Sequence, residues 1–167
     1  MSLWDGHECP PDSEGVKLNP WDIRSAIFAK HAQHVVLIHF PIALFLAGIA
    51  LDVAASWTRR KELAVAAYYN LAFAALSALP AAATGLLAWH WELEGRRLKG
   101  ILLLHLLSGS VSALLMFATW WIHCRARRNA EDETNLPGFR WPLELLAVLI
   151  VGLTGHLGGF LSGVNHP

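Results

Sequence analysis

Residues 34–57 read HVVLIHFPIALFLAGIALDVAASW, and this stretch decides the fold. It holds a single acid, Asp52, and neither lysine nor arginine. At ~1.5 Å per residue, a helix of this length exceeds the ~30 Å hydrocarbon core of a bilayer. Three stretches of the same kind follow, near residues 63–91, 101–122 and 142–161. Glu144 is their one acid, and they too lack lysine and arginine. The 167-residue chain is 54% hydrophobic and 16% charged, averages that hide how completely charge is confined to the connectors. The expected class is all-α: an integral membrane four-helix up-and-down bundle. An ordinary soluble domain, a disordered chain and a disulfide scaffold are excluded. A net charge of zero leaves no field to hold phosphate, which argues against a nucleic-acid partner.

The chain divides into an irregular tail (1–18), an amphipathic interfacial helix (19–33) and a four-helix transmembrane domain (34–167). Asn19–Pro20 caps the interfacial segment, whose Trp21, Ile23, Ile27 and Phe28 recur near helical spacing. The region before the first span is acidic and has no basic leader, so it is not a secretory signal peptide. Four spans put both ends of the chain on one face, side A. Trp57, Trp120, Trp121 and Trp141 mark the span ends on side B, and Trp89 and Trp91 mark side A. Side B carries Arg59, Arg60, Lys61, Arg125, Arg127, Arg128 and Arg140, which by the positive-inside rule makes it cytoplasmic. Cys9 and Cys124 then fall on opposite faces and do not pair.

Nine histidines stand out in a chain this short. His39, His105 and His156 all lie ~7–9 Å inside side A, although their spans run in alternating directions. His34 and His90 lie at the same interface, with His31 and His166 just beyond it. Intramembrane ionisable groups are costly and mark functional sites. Small residues share their stripes: Ser108, Gly109 and Ser112 beside His105, and Gly152, Gly159 and Gly163 beside His156. Missing side chains leave room for a flat group between helices, although small faces also serve tight helix packing. Imidazole ligands beside small residues fit a b-type haem. His39 and His105, on diagonal helices, form the expected axial pair, with His34 and His90 supporting it. One haem is expected, with a second on His90 and His156 as the alternative. The chemical competitor is a copper or zinc site on His39, His105 and His156.

His34-Val-Val-Leu-Ile-His39-Phe40-Pro41-Ile-Ala-Leu resembles the opening motif of a bacterial membrane-protein family, domain of unknown function 2231. Leu79–Pro80 through Gly85, His105, and Gly155 through His166 follow that pattern in order and spacing. Val35 departs from it, standing where the family usually has proline. The resemblance covers roughly residues 31–167. It implies a four-helix bacterial membrane protein with patterned histidines, similar in layout to small haem b cytochromes, and no particular reaction. Side B would then face the cytoplasm of an inner membrane, with both termini periplasmic.

Other candidates are weaker. Asp52, Glu144, Tyr68, Tyr69 and Asn70 cluster toward side B and suit a quinone head group, but near an interface such groups ordinarily reach water. His7-Glu8-Cys9 and His123–Cys124 lack the partners of a metal site. No nucleophile motif or phosphate loop occurs, so an electron carrier is expected rather than a hydrolase or transferase. The leading expectation is a b-type haem electron-transfer protein working near the outer face with a periplasmic cytochrome c, a quinol or a respiratory subunit. The alternatives are a copper- or zinc-handling membrane protein and a non-catalytic subunit of a larger complex.

Overall fold

The computed structural model describes residues 30–92, 97–129 and 137–161. The expected tail and most of the interfacial segment fall outside them. Four helices fill the described residues: α1 (Lys30–Thr58), α2 (Lys61–Glu92), α3 (Gly100–Asn129) and α4 (Arg140–Leu161). All four are long and apolar enough to cross a membrane. The all-α, four-span class is as expected. Lys30–Gln33, read as the end of the interfacial segment, instead form the first turn of α1.

Pro41 and Pro80 lie inside α1 and α2, and both helices continue through them. Thr84 donates its hydroxyl to the Pro80 carbonyl (2.9 Å), an i to i−4 bond that keeps the hydroxyl satisfied within its own helix. The α1–α2 connection is only Arg59 and Arg60. Arg59 takes the left-handed conformation (φ 56°) and donates its amide to the Ala55 carbonyl (2.8 Å), closing the end of α1.

Contacts run in a ring. α1 packs most extensively on α2, α3 packs next most extensively on α4, α2 packs less on α3, and α1 and α4 meet only narrowly. Small residues explain the first pairing. A Cβ on Gly48 would stand 2.9 Å from the Leu71 side chain and 3.2 Å from its backbone nitrogen. Ala64, Ala67, Ala74, Ala75 and Ala78 continue the buried stripe on α2. Helices in lipid associate by this kind of close backbone approach, since lipid chains are as apolar as leucine. Phe45, Leu71, Ala74, Ala78, Met116, Ala147 and Val151 form the core. The outside is apolar as well, with Phe40, Phe73, Leu104, Leu114, Leu145 and Leu149 exposed. The buried positions include Asp52, His123, Arg140 and Glu144, so the polarity of a soluble domain is inverted.

Candidate functional site

The buried stripe of each of three helices carries an ionisable residue near its side B end. On α1 the stripe Phe45, Gly48, Asp52, Ala55 is spaced by three or four residues. On α3 it runs Ser112, Met116, Thr119, His123, and on α4 Arg140, Glu144, Ala147, Val151. Three- and four-residue steps keep one helix face. The face that packs the core therefore carries Asp52, His123, Arg140 and Glu144 to one place.

Arg140 lies at the centre of this cluster. Its Nε donates to Asp52 Oδ2 at 2.9 Å and lies 3.8 Å from Glu144 Oε1, and its Nη2 donates to Ser56 Oγ at 2.6 Å. Its guanidinium also covers the Trp141 ring, 4.1 Å from the centroid. His123 Nε2 and Glu144 Oε1 are 3.1 Å apart. Asp52 and Glu144 are each 1% exposed and His123 2%. Asp52 Oδ1, Glu144 Oε2 and Thr119 Oγ1 are buried without a hydrogen-bond partner. Carboxylate oxygens left open in this way can still accept a proton or a hydrogen bond. One ligand atom from each of Asp52, His123 and Glu144 fits within 4.8 Å of the others, a spacing that suits a metal ion. Arg140, however, already supplies a permanent cation between the two carboxylates.

These acids were expected to reach water, and they do not. Arg140 was counted as a loop charge, and His123 was set aside with Cys124 as lacking the partners of a metal site. The signal available was the stripe: each residue sits in register with the small and apolar positions that face the core.

The side A histidines take different directions. His34 is half-buried against α2. Its Nδ1 lies 3.2 Å from Thr84 Oγ1, and its ring occupies the space where Gly85 lacks a Cβ (Cε1 at 2.9 Å). Because the Thr84 hydroxyl proton goes to backbone carbonyls, His34 Nδ1–H is the donor. His105 does the same between α3 and α4. Its Nδ1 donates to the Thr154 carbonyl (3.2 Å), and its Cε1 lies 3.2 Å from where a Gly158 Cβ would stand. One turn on, a Gly109 Cβ would meet Thr154 Cγ2 at 3.7 Å, and Ser112 Oγ bonds Thr154 Oγ1 at 3.0 Å. The stripe His105, Gly109, Ser112 is thus a packing face against Thr154 of α4.

His39 is exposed and donates Nδ1–H to the Val35 carbonyl (2.6 Å). It lies ~140° around α1 from Asp52 at ~100° per residue, on the face turned away from the bundle. His156 is exposed on α4, with its ring edge-on to Phe160 at 4.9 Å. His90 is exposed near the end of α2. Gly152 is exposed with nothing within 4 Å of a Cβ position, and Gly159 is half-buried. The shared depth of His39, His105 and His156 therefore does not bring them together within one chain. His31 and His166 lie outside the residues whose side chains are described.

No curated protein and no solved structure matches this chain. The profile of the family described as predicted membrane protein (DUF2231) matches residues 30–165, which takes in all four helices. The chain therefore belongs to the DUF2231 family of membrane proteins.

Proposed function

We propose that the protein accepts and holds a proton within the membrane, at the Asp52–Arg140–Glu144–His123 cluster. The observation that carries this reading is an imbalance of buried charge. Two carboxylates face one guanidinium, and the imidazole closes the balance when it takes one proton. Arginine does not give up its proton in proteins, so the mobile proton belongs to His123 or to a carboxylate. With Nε2–H donating to Glu144, His123 takes a proton at Nδ1 and can pass the Nε2 proton to Glu144 Oε1. Arg140 holds both carboxylates in place while this happens. Intramembrane acids paired with histidine commonly serve as proton relays. The test is infrared difference spectroscopy of the protein in lipid across a pH step. A protonated-carboxyl band that is lost in Glu144→Gln is expected. A wild-type spectrum with no band sensitive to Glu144→Gln or His123→Ala overturns the reading.

A second reading, electron transfer by b-type haem at the periplasmic face of an inner membrane, is favoured by a separate observation. His39 and His105 each commit Nδ1–H to a backbone carbonyl, which leaves the Nε2 lone pair that iron, copper or zinc requires. An imidazole exposed at hydrocarbon depth, as His39 is, also calls for something to cover it. Since His39 faces away from the bundle, an iron bound there draws its second ligand from another chain or subunit. A cytochrome c, a quinol or a respiratory subunit are partners of the fitting class. A Soret band after expression with ample haem, abolished by His39→Ala, is the expected result. A flat Soret region removes this reading, and elemental analysis showing about one copper or zinc per chain replaces haem with that metal.

A further inference from the structure

We propose that the side B end of α3 binds the headgroup of an anionic phospholipid. Trp121, Cys124, Arg125 and Arg128 line a cavity of about 300 Å³ there. A second groove of about 230 Å³ adjoins it, sharing Trp121 and Arg125 and adding Ile122 and Phe139. The pair is amphiphilic: two guanidinium groups line the first compartment, and the second sets one of them, Arg125, among aromatic and aliphatic groups. Arg125 and Arg128 are three residues apart and so neighbours on one helix face. Neither has an acidic partner among the described residues. The other arginines nearby are engaged, Arg127 over the Tyr68 ring at 4.5 Å and Arg140 in the buried cluster.

The level is right for a headgroup. Trp57, Trp121 and Trp141 are all exposed at this end of the bundle, where indole rings mark the membrane interface. Guanidinium forks match phosphate oxygens in a bidentate manner. The carbonyls ending α3 place roughly half a negative charge at its terminus, which two unpaired arginines outweigh. With two cations and no acid among the described residues that line the cavity, a zwitterionic headgroup gains little, because its ammonium group meets the same arginines. The indole of Trp121, shared by both compartments, is placed to contact the glycerol and upper acyl region while Ile122 and Phe139 extend the apolar floor.

Cys124, which lines the cavity, reports its occupancy. The full chain carrying Cys9→Ser is placed in nanodiscs of phosphatidylcholine with or without phosphatidylglycerol, and maleimide labelling of Cys124 is timed. Phosphatidylglycerol is expected to slow labelling. Arg125→Gln and Arg128→Gln are each expected to weaken that protection roughly fivefold, while Arg60→Gln on the same face leaves it intact. Equal labelling in the two lipids overturns the proposal. Equal protection by inorganic phosphate in pure phosphatidylcholine also overturns it, by assigning the cavity to a free anion. Native mass spectrometry gives an independent count: one phosphatidylglycerol retained per chain is expected, and none retained overturns the proposal.

Discussion

Arg140 shows how much one side chain can organise. It reaches Asp52 and Ser56 on α1 and approaches Glu144 one turn along its own helix. Removing a charge from a buried set leaves its partners uncompensated, which costs about 3–5 kcal/mol. Arg140→Met is therefore expected to lower unfolding stability in detergent by that order, more than Arg60→Met, whose contact with Glu62 is exposed at 4.0 Å. Equal losses in the two variants would remove Arg140 from its central place. The glycine under His34 makes a second case. Gly85→Ala drives a methyl to 2.9 Å from the imidazole, and overpacking of this kind costs roughly 1–3 kcal/mol. Adding His34→Ala to Gly85→Ala should cost less than the sum of the two single changes, a coupling that a double-mutant cycle reads directly. At this scale the sequence was half legible. The depth of each histidine followed from counting residues, but its direction did not, because depth is a property of one helix and direction depends on which neighbour it packs against.

At the scale of the helix, composition located the spans and understated their length. α1 begins at Lys30 and α3 continues to Asn129, beyond the apolar runs. A helix of thirty residues is ~45 Å long, enough to pass through the headgroup zone as well as the hydrocarbon. Hydropathy marks only the hydrocarbon part, while the backbone hydrogen bonds continue into the interface. The α1–α2 contact is the tightest place in the fold. Gly48→Val would press a branched side chain onto Leu71, including its backbone nitrogen, which cannot rotate away. A loss of roughly 1–3 kcal/mol is expected, read as a lower midpoint in thermal unfolding. An unchanged midpoint would mean that α1 and α2 have freedom to separate. The small residues were visible in the sequence, and Gly109 was read as space for a ligand. Gly109 instead faces Thr154 of the neighbouring helix, and Gly85 and Gly158 each admit a neighbour's histidine.

For the whole molecule, the ring of contacts resolves into two hairpins, α1–α2 and α3–α4, joined along α2–α3 and by the narrow contact of α1 with α4. The ion cluster spans that narrow contact through Arg140 and Asp52. Co-expressed fragments 1–99 and 100–167 should therefore assemble in the membrane, with Arg140→Met reducing their co-purification. Recovery unaffected by Arg140→Met would show that the α2–α3 contact alone joins the halves. Four spans and their alternating order were legible from apolar runs and connector length. The cluster was not, since it exists only once three helices are set side by side, and sequence spacing gives no distance between different helices.

The two histidines lodged over glycines have a mechanical consequence. Each ring sits where its partner helix lacks a side chain. Sliding α1 along α2 by a single residue would set the His34 ring against a Cβ, and sliding α3 along α4 would break the bonds of His105 and Ser112 to Thr154. His34 fixes the axial register of α1 on α2, and His105 fixes that of α3 on α4. A bilayer a few ångströms thinner must still be accommodated, commonly by tilt. With sliding blocked inside each hairpin, the adjustment falls between the hairpins, as a scissoring of one against the other near side B. Spin-label distances across the side A ends of α1 and α4 should then change with lipid chain length, while those within each hairpin stay constant.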